Sequence, residues 1–201
     1  MNGSKLGIKI LGLFSLVLAA ALFSGCAGST ARPGRNMAAI SGIPGSPPAG
    51  KTLVFIHCPK TSLYVKLNTG IWDGTNFIGG LGNGYSTAYI CEPGEHYFMN
   101  LSVEITACVE AQLLPDKTYD LWVDTYRGMF VTSYKLKPLQ QDDKTRRRVA
   151  KWSGQNLWVE PGSSAGAYER AKQDDIRRLL EEFISGPRHN KLQHMAPDDH
   201  R

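Results

Sequence analysis

The hydrophobic and polar residues of this chain fall into three successive patterns. Residues 10–23 form an apolar run without a single charge. Residues 52–136 carry short runs of β-branched, aromatic and alternating residues that are separated by turn signals. Residues 163–186 repeat apolar side chains at helical spacing. The sequence therefore predicts a short apolar leader, a β-rich domain and one amphipathic helix.

The central pattern predicts a mainly β domain over residues 51–137. Seven or eight short strands alternate with turn signals at intervals of about eight to twelve residues, which is typical of a sandwich or a small barrel. Half-buried alternation favours antiparallel pairing. We therefore expect an antiparallel β-sandwich, immunoglobulin-like or transthyretin-like, with a C-terminal amphipathic α-helix.

The longest alternation predicts one strand across residues 99–110. Its apolar face would carry Met99, Leu101, Val103, Ile105, Ala107 and Val109. The opposite face would carry Ser102, Glu104, Thr106, Cys108 and Glu110.

The C-terminal third divides into three parts. Residues 138–162 read as a basic linker, because cations concentrate at residues 144–151. Residues 152–159 within it are either one last strand or a loop that packs its two tryptophans on the sandwich. Residues 163–186 form the helix, with Ser163 or Ser164 as its cap and Gly186-Pro187 as its end. The polar residues 187–201 show no pattern and are predicted to be a disordered tail.

The first 26 residues resemble a bacterial lipoprotein signal. Lys5 and Lys9 precede the apolar run, and small residues lead into Cys26. An uncharged run of fourteen residues is too short to span a bilayer but suits the core of a secretory signal. The interpretation is a signal peptide over residues 1–25 that is removed, with Cys26 lipidated as the new N-terminus. Phe23 departs from the pattern, since Leu is more usual three residues before the cysteine.

Residues 26–50 are rich in Gly, Pro, Ser and Ala and read as a lipidated N-terminus followed by a flexible tether. Removal of the signal would lower the formal charge from +5 to +3, because Lys5 and Lys9 leave with it. That mild and dispersed charge gives no support to nucleic-acid binding.

The chain has three further cysteines, Cys58, Cys91 and Cys108. Outside the cytoplasm two of them would usually form a disulfide, which leaves one free thiol. All three pairings are open on the sequence. Cys91 with Cys108 is the first choice, because both lie in predicted strands close in sequence.

Enzyme motifs are absent from the sequence, so no catalytic, cofactor or metal residue is assigned. A thiol enzyme could use Cys58 or Cys91 with His57 or His96, but neighbours on a strand point to opposite faces, so His57 cannot serve Cys58. Three free thiols would nevertheless favour that alternative. The one histidine pair with zinc-like spacing, His189 and His194, falls in the predicted tail.

Several motifs in residues 50–137 carry a resemblance. They are Pro59 after the first strand, Phe-Ile-Gly-x-Leu-x-Asn-Gly-Tyr at residues 77–85, Pro93-Gly94-Glu95-His96, and Lys117-Thr118-Tyr119-x-Leu121. Together they resemble a family of small β-rich domains of unknown function in bacterial envelope lipoproteins. They are also similar to the surface-layer domains named after a Pro-Glu-Gly-Ala motif. His57-Cys58, where the family has Arg, and the extension after Leu136 depart from it.

These observations favour a lipid-anchored envelope lipoprotein that acts as a non-catalytic binding or structural module, without a cofactor. The alternative is a thiol- or metal-dependent periplasmic enzyme or metal-binding protein. The expected partners are the membrane, through Cys26, and an envelope protein or an anionic glycolipid at the basic residues 144–151. Ala27 follows Cys26 where an inner-membrane protein usually has Asp, so the periplasmic face of the outer membrane is the expected location.

Overall fold

Two mixed β-sheets pack face to face, and each carries one α-helix on its outer side. The computed structural model describes residues 36–60, 68–102, 106–127, 132–140 and 143–201, which all belong to one unit, Ala31–Arg201. Strands make up 46% of the described structure, and the two sheets do not close into a barrel. The predicted signal peptide and Cys26 lie outside the described residues. So does the Leu-Tyr-Val-Lys-Leu run at residues 63–67, whose alternation predicts a strand.

The first sheet has six strands in the order β1-β10-β5-β2-β8-β9. Their bounds are Met37–Ala39 (β1), Thr52–Cys58 (β2), Tyr85–Cys91 (β5), Thr118–Arg127 (β8), Thr132–Pro138 (β9) and Leu157–Pro161 (β10). Every residue of β2 is buried, because β2 is paired with a strand on each side and is covered on both of its faces. This strand is therefore a nearly continuous apolar run rather than an alternating one.

The second sheet has five strands in the order β11-β7-β6-β3-β4. Their bounds are Asn68–Asp73 (β3), Asn76–Gly82 (β4), Gly94–Leu101 (β6), Ala107–Leu113 (β7) and Gln193–Met195 (β11). The prediction of a mainly β fold is confirmed, but the sheets are mixed rather than antiparallel. Three strand pairs are parallel: β2 with β8, β5 with β10 and β7 with β11.

The main core lies between the sheets. It takes alternate side chains from the strands of both, among them Val54, Ile56, Leu121, Phe98 and Val109. The residues between them point outwards, towards the two helices. Sheet faces that would be solvated in a simple sandwich are therefore buried as well.

Helix α2, Ala165–Ile184, covers the outer face of the five-stranded sheet. Tyr168, Ile176 and Phe183 are buried against Trp72 and Met99 of that sheet. The helix predicted over residues 163–186 corresponds to α2, and it docks on its own chain. None of the helices in the described part of the chain is long and apolar enough to cross a membrane.

Helix α1, Asp143–Ser153, covers part of the outer face of the six-stranded sheet. Val149 and Trp152 pack on Trp122 of β8 and on Leu139. The prediction of a basic linker is wrong for residues 143–153, which form this helix. Five of its eleven residues are Lys or Arg. Among these charges, the two apolar residues that pack on the sheet are too few to indicate a helix.

The long alternation over residues 99–110 is a hairpin and not one strand. Strand β6 ends at Leu101 and β7 begins at Ala107, and Met99 lies directly opposite Cys108. Both side chains contact the α2 layer, while Phe98 and Val109 enter the core between the sheets. The alternation misleads because both faces of the sheet are buried.

Residues 36–50 of the predicted tether and residues 187–201 of the predicted tail contribute to the fold. In the predicted tether, Met37–Ala39 pairs with β10, and the hydroxyl of Ser164 donates to Asn36 Oδ1 at 2.7 Å. In the predicted disordered tail, a 3₁₀ turn over His189–Lys191 precedes β11, and Met195 is buried in the core. Neither segment shows a periodic pattern, because each contributes only one short edge strand.

Candidate functional site

A pocket of about 660 Å³ lies between helix α1 and the outer face of the six-stranded sheet. We call it the α1 pocket. Its polar lining residues are His57, Asp120, Arg146, Ser153 and Arg201. Its other lining residues are Ile43, Pro44, Gly45, Phe55, Leu139, Val149, Ala150, Gly154 and Trp158. Clefts of this size are typical of small-molecule sites.

A line of buried polar side chains runs through the sheet and reaches the floor of the pocket at His57 and Asp120. Asn156 Nδ2 donates to Ser86 Oγ at 2.9 Å, and Ser86 Oγ lies 2.9 Å from His57 Nδ1. His57 Nε2 lies 3.2 Å from Asp120 Oδ1, and Arg201 donates to both oxygens of Asp120 at 2.5 and 2.6 Å. The direction of donation is consistent with a His57 that accepts from Ser86 and donates to Asp120.

Strand register brings these side chains together. Ser86 on β5 lies opposite His57 on β2, and β2 pairs in parallel with β8, which carries Asp120. Because alternate residues of a strand share a face, His57 and Asp120 both point away from the core that receives Ile56 and Leu121. The central strands of the sheet thus build the polar floor.

Asp120 is the charged centre of the line. It is only 2% exposed, and burial alone would raise the pKa of its carboxyl. The hydrogen bonds from His57 and Arg201, together with the positive charge of Arg201, outweigh burial and hold the pKa of Asp120 below its ordinary value. The pocket therefore contains a carboxylate whose charge is matched by Arg201.

The two arginines also tie the C-terminal segment to the sheet. The Arg201 guanidinium lies over the Phe55 ring at 4.8 Å, and its backbone N–H donates to the Thr118 carbonyl. Arg146 Nη2 donates to the carbonyls of Leu139 and Asp199. Helix α1, strand β8 and residues 199–201 are therefore joined at one point beside the pocket.

The residues Ser86, His57 and Asp120 have the order of a nucleophile, a base and an orienting carboxylate, but their burial argues against catalysis. Ser86 is fully buried and is not part of the pocket lining. Its Oγ also accepts the Asn156 amide. A nucleophile must reach a reacting atom about 3 Å away, and this hydroxyl has no open side.

A second polar cluster lies at the edge of β3 and β6. Asp73 Oδ2 accepts from His96 Nδ1 at 2.8 Å and from the Tyr89 hydroxyl at 3.0 Å, and His96 Nε2 lies 2.9 Å from the Glu92 carbonyl. Both ring nitrogens of His96 thus face acceptors, which favours the doubly protonated imidazolium. The hydrogen bond to Asp73 is the main reason that the pKa of His96 is raised above its ordinary value of 6.5.

This histidine gives the folded state a pH dependence. Because the pKa of His96 is higher in the folded than in the unfolded chain, its stabilising contribution is fully present below pH 6.5 and is lost as the pH rises through the folded-state pKa. We expect His96→Gln to flatten the fall in unfolding free energy above pH 6.5, as measured by urea denaturation at several pH values. The exposed His194 serves as the control, and an equal flattening in His194→Gln would contradict this origin.

The predicted disulfide between Cys91 and Cys108 does not form. Cys91 lies in β5 and contacts the core between the sheets, whereas Cys108 lies in β7 and contacts the α2 layer. The five-stranded sheet therefore separates the two sulfurs. Cys58, Cys91 and Cys108 are all free and buried.

Free thiols do not make the enzyme alternative stronger here, because burial raises the pKa of each of the three to about 12. A thiol at that pKa supplies almost no thiolate, which is the reactive form. His57 contacts Ser86 and Asp120 rather than a cysteine, and His96 contacts Asp73.

Within the described residues, no group of three or more His, Cys, Asp or Glu side chains is placed to hold a metal ion. The two histidines with zinc-like spacing have different partners, since His189 Nδ1 contacts the Phe183 carbonyl and His194 pairs with Glu110.

Only His57 of this line was a candidate on the sequence. Its contacts Ser86, Asp120 and Trp158 were not predicted, and neither were Asn156, which contacts Ser86, or Arg201, which contacts Asp120. Asp120 carried one usable signal, because it alternates with the apolar residues of its strand and so belongs to the outer face. Nothing local indicates that β8 pairs in parallel with β2, or that Arg201 returns to the same carboxylate.

Comparison with known protein families, with curated proteins and with solved structures found no match to this chain. The class of protein is therefore defined by its own fold and pocket. It is a mainly β domain of two mixed sheets with a helix-covered polar pocket on one outer face.

Proposed function

We propose that this chain is a lipid-anchored, non-catalytic binding module of the bacterial cell envelope, with the α1 pocket as its binding site. The pocket is the observation that carries the binding function. It combines apolar walls with a few polar groups that buried neighbours hold in place, which is the usual composition of a ligand site. The buried thiols and the inaccessible Ser86 favour binding over catalysis.

The anchoring part of the proposal rests on the sequence of residues 1–26. It includes removal of residues 1–25, lipidation of Cys26 and placement on the periplasmic face of the outer membrane. The resemblance to envelope lipoprotein domains supports the same location. The immunoglobulin-like or transthyretin-like assignment belongs to this proposal too, with α1, α2 and the parallel strand pairs as departures from a simple sandwich.

Helix α1 adds a surface for an anionic partner. Lys144, Arg147, Arg148 and Lys151 are exposed on it, and the Arg148 guanidinium lies 4.5 Å from the centre of the Trp152 ring. Each cation near an anionic head group contributes about 1 kcal/mol. An anionic glycolipid or an acidic envelope protein is the partner that this surface fits.

Filling the α1 pocket tests the binding function. Ala150 is exposed and lines the pocket, whereas the neighbouring Lys151 is exposed but does not. We expect fragments detected by ligand-observed NMR to bind the wild type and Lys151→Trp but not Ala150→Trp, because only the latter indole fills the cavity. An absence of fragment binding, or equal binding to both variants, would count against the site.

The lipid anchor has its own test. Changing Cys26 to Ala removes the thiol that would carry the lipid, so metabolic labelling with a fatty acid should fall to background and the protein should leave the membrane fraction or stall as its precursor. Cys108→Ala is the control, because that side chain is buried in the domain. Labelling that persists in Cys26→Ala would exclude a lipoprotein.

A further inference from the structure

We propose that the α1 pocket takes a small anion with an apolar body, whose negative group binds at Arg146 and Arg201 and whose apolar part lies against Trp158 and Val149. This inference rests on the proposed function of the pocket as a binding site. It adds the chemical class of the ligand.

The charge of the pocket lining is positive over the part of the chain that the structure describes. Within those residues, two guanidinium groups and one carboxylate line it. The carboxylate of Asp120 is buried and is covered by the two hydrogen bonds from Arg201, so Arg146 is left as the excess charge. The exposed Arg148 and Lys151 on the same helix add to the positive potential around the opening.

The arginines keep hydrogen-bond donors for a ligand. Arg201 uses Nε and Nη2 on Asp120, its side chain is half exposed, and its Nη1 has no partner among the described residues. Arg146 uses Nε and Nη2 on backbone carbonyls, while its Nη1 is 3.9 Å from Asp120 Oδ2. Guanidinium groups suit carboxylate and phosphate oxygens, because their N–H groups form a fixed fork.

The rest of the lining is suited to an apolar body. The Phe55 and Trp158 rings lie edge to face with their centres 5.2 Å apart, and Leu139 and Val149 belong to the small cluster beneath α1. Pro44 and Ile43 border the same space. An apolar group placed there would be removed from water, which adds affinity in proportion to the area covered.

A cationic ligand fits this geometry poorly. The one carboxylate already accepts from His57 and from both ends of the Arg201 fork. A cation would have to displace Arg201 from Asp120 and would then face Arg146. An uncharged ligand would leave the free guanidinium donors of both arginines without a new acceptor.

Three probes with one apolar body and different head groups test the ligand class. These are 2-naphthoate, 2-naphthamide and 2-naphthylmethylammonium, each titrated into the wild-type protein by calorimetry. We expect the carboxylate to bind at least about ten-fold more tightly than the amide and the ammonium to bind least, since a charge-assisted pair is worth roughly 1.4 kcal/mol or more. Raising the salt from about 50 to about 500 mM should weaken only the carboxylate.

Variants place the binding at the pocket. Arg146→Gln should reduce the preference for carboxylate over amide about ten-fold, and Arg146→Lys should restore part of it. Arg178→Gln, on the exposed face of α2, should change nothing. Because Arg146 also donates a hydrogen bond to the carbonyl of Asp199, circular dichroism and thermal melting must show that Arg146→Gln is folded. The comparison of the three head groups on the wild-type protein does not depend on this variant.

The outcomes separate the two proposals. Tighter binding of the amide or the ammonium would overturn the anion assignment and leave the pocket as a binding site. Carboxylate binding that survives unchanged in Ala150→Trp would place the anion elsewhere and overturn this inference. No binding of any probe would overturn both.

Discussion

A chain that ends at residue 186 is expected to lose at least about 4 kcal/mol of unfolding free energy relative to the full chain. The buried Met195 would leave the core, and truncation of such a side chain alone costs about 2–5 kcal/mol. The buried Asp120 would also lose Arg201, and an uncompensated buried charge costs about 3–5 kcal/mol when fully enclosed. Because water reaches the Arg201 side chain, the cost of separating Asp120 from Arg201 is smaller than this range.

Urea denaturation followed by tryptophan fluorescence would measure this loss. The exposed Asn190 provides the matched control, since Asn190→Ala alters the same segment without removing a buried group. A truncated chain with the unfolding midpoint of the full chain would mean that residues 187–201 do not pack as described. A disordered tail, as predicted from the sequence, would leave the unfolding midpoint unchanged.

Phe183→Ala is expected to cost about 3–5 kcal/mol, because the ring is 1% exposed and lies in the layer between α2 and the five-stranded sheet. Ile184→Ala, at the next residue of the helix, is expected to cost less than about 1 kcal/mol, because Ile184 is 41% exposed. The contrast follows from docking of α2 on its own sheet.

The two helix variants are compared by chemical denaturation of the isolated protein at several concentrations. Docking in cis predicts a large and concentration-independent difference between them. If α2 instead bound a partner protein, both substitutions would leave the isolated protein almost unchanged.

The class of the fold could be predicted from the sequence because local residue patterns indicate local secondary structure. Alternation and turn signals found most of the strands, and the helical period found α2. The faces of the strands were harder to assign. Met99 and Phe98 are both buried, on opposite sides of the same strand, so hydrophobicity alone could not tell which side met the other sheet.

The candidate site was less accessible because it depends on pairings between distant residues. His57 meets Ser86, Asp120 and Trp158 only after β2 has paired with β5 and β8 and α1 has docked. The charge of α1 concealed its packing, since Val149 and Trp152 are two apolar residues among five cations. Arg201 carried no signal, because a single terminal-segment arginine is usually solvated.

The parallel pairing of β7 with β11 and of β5 with β10 has a consequence for the time course of folding. Each joins segments far apart in the chain, and the Arg201–Asp120 contact spans 81 residues. Contacts at such separations slow folding, since the intervening loop must close before they form. A chain emerging from a ribosome or a translocon therefore leaves the β5 edge open until residues 157–161 are free, and leaves the β7 edge open and Asp120 without Arg201 until residues 193–201 are free. During that interval the open edges are the surfaces most exposed to aggregation.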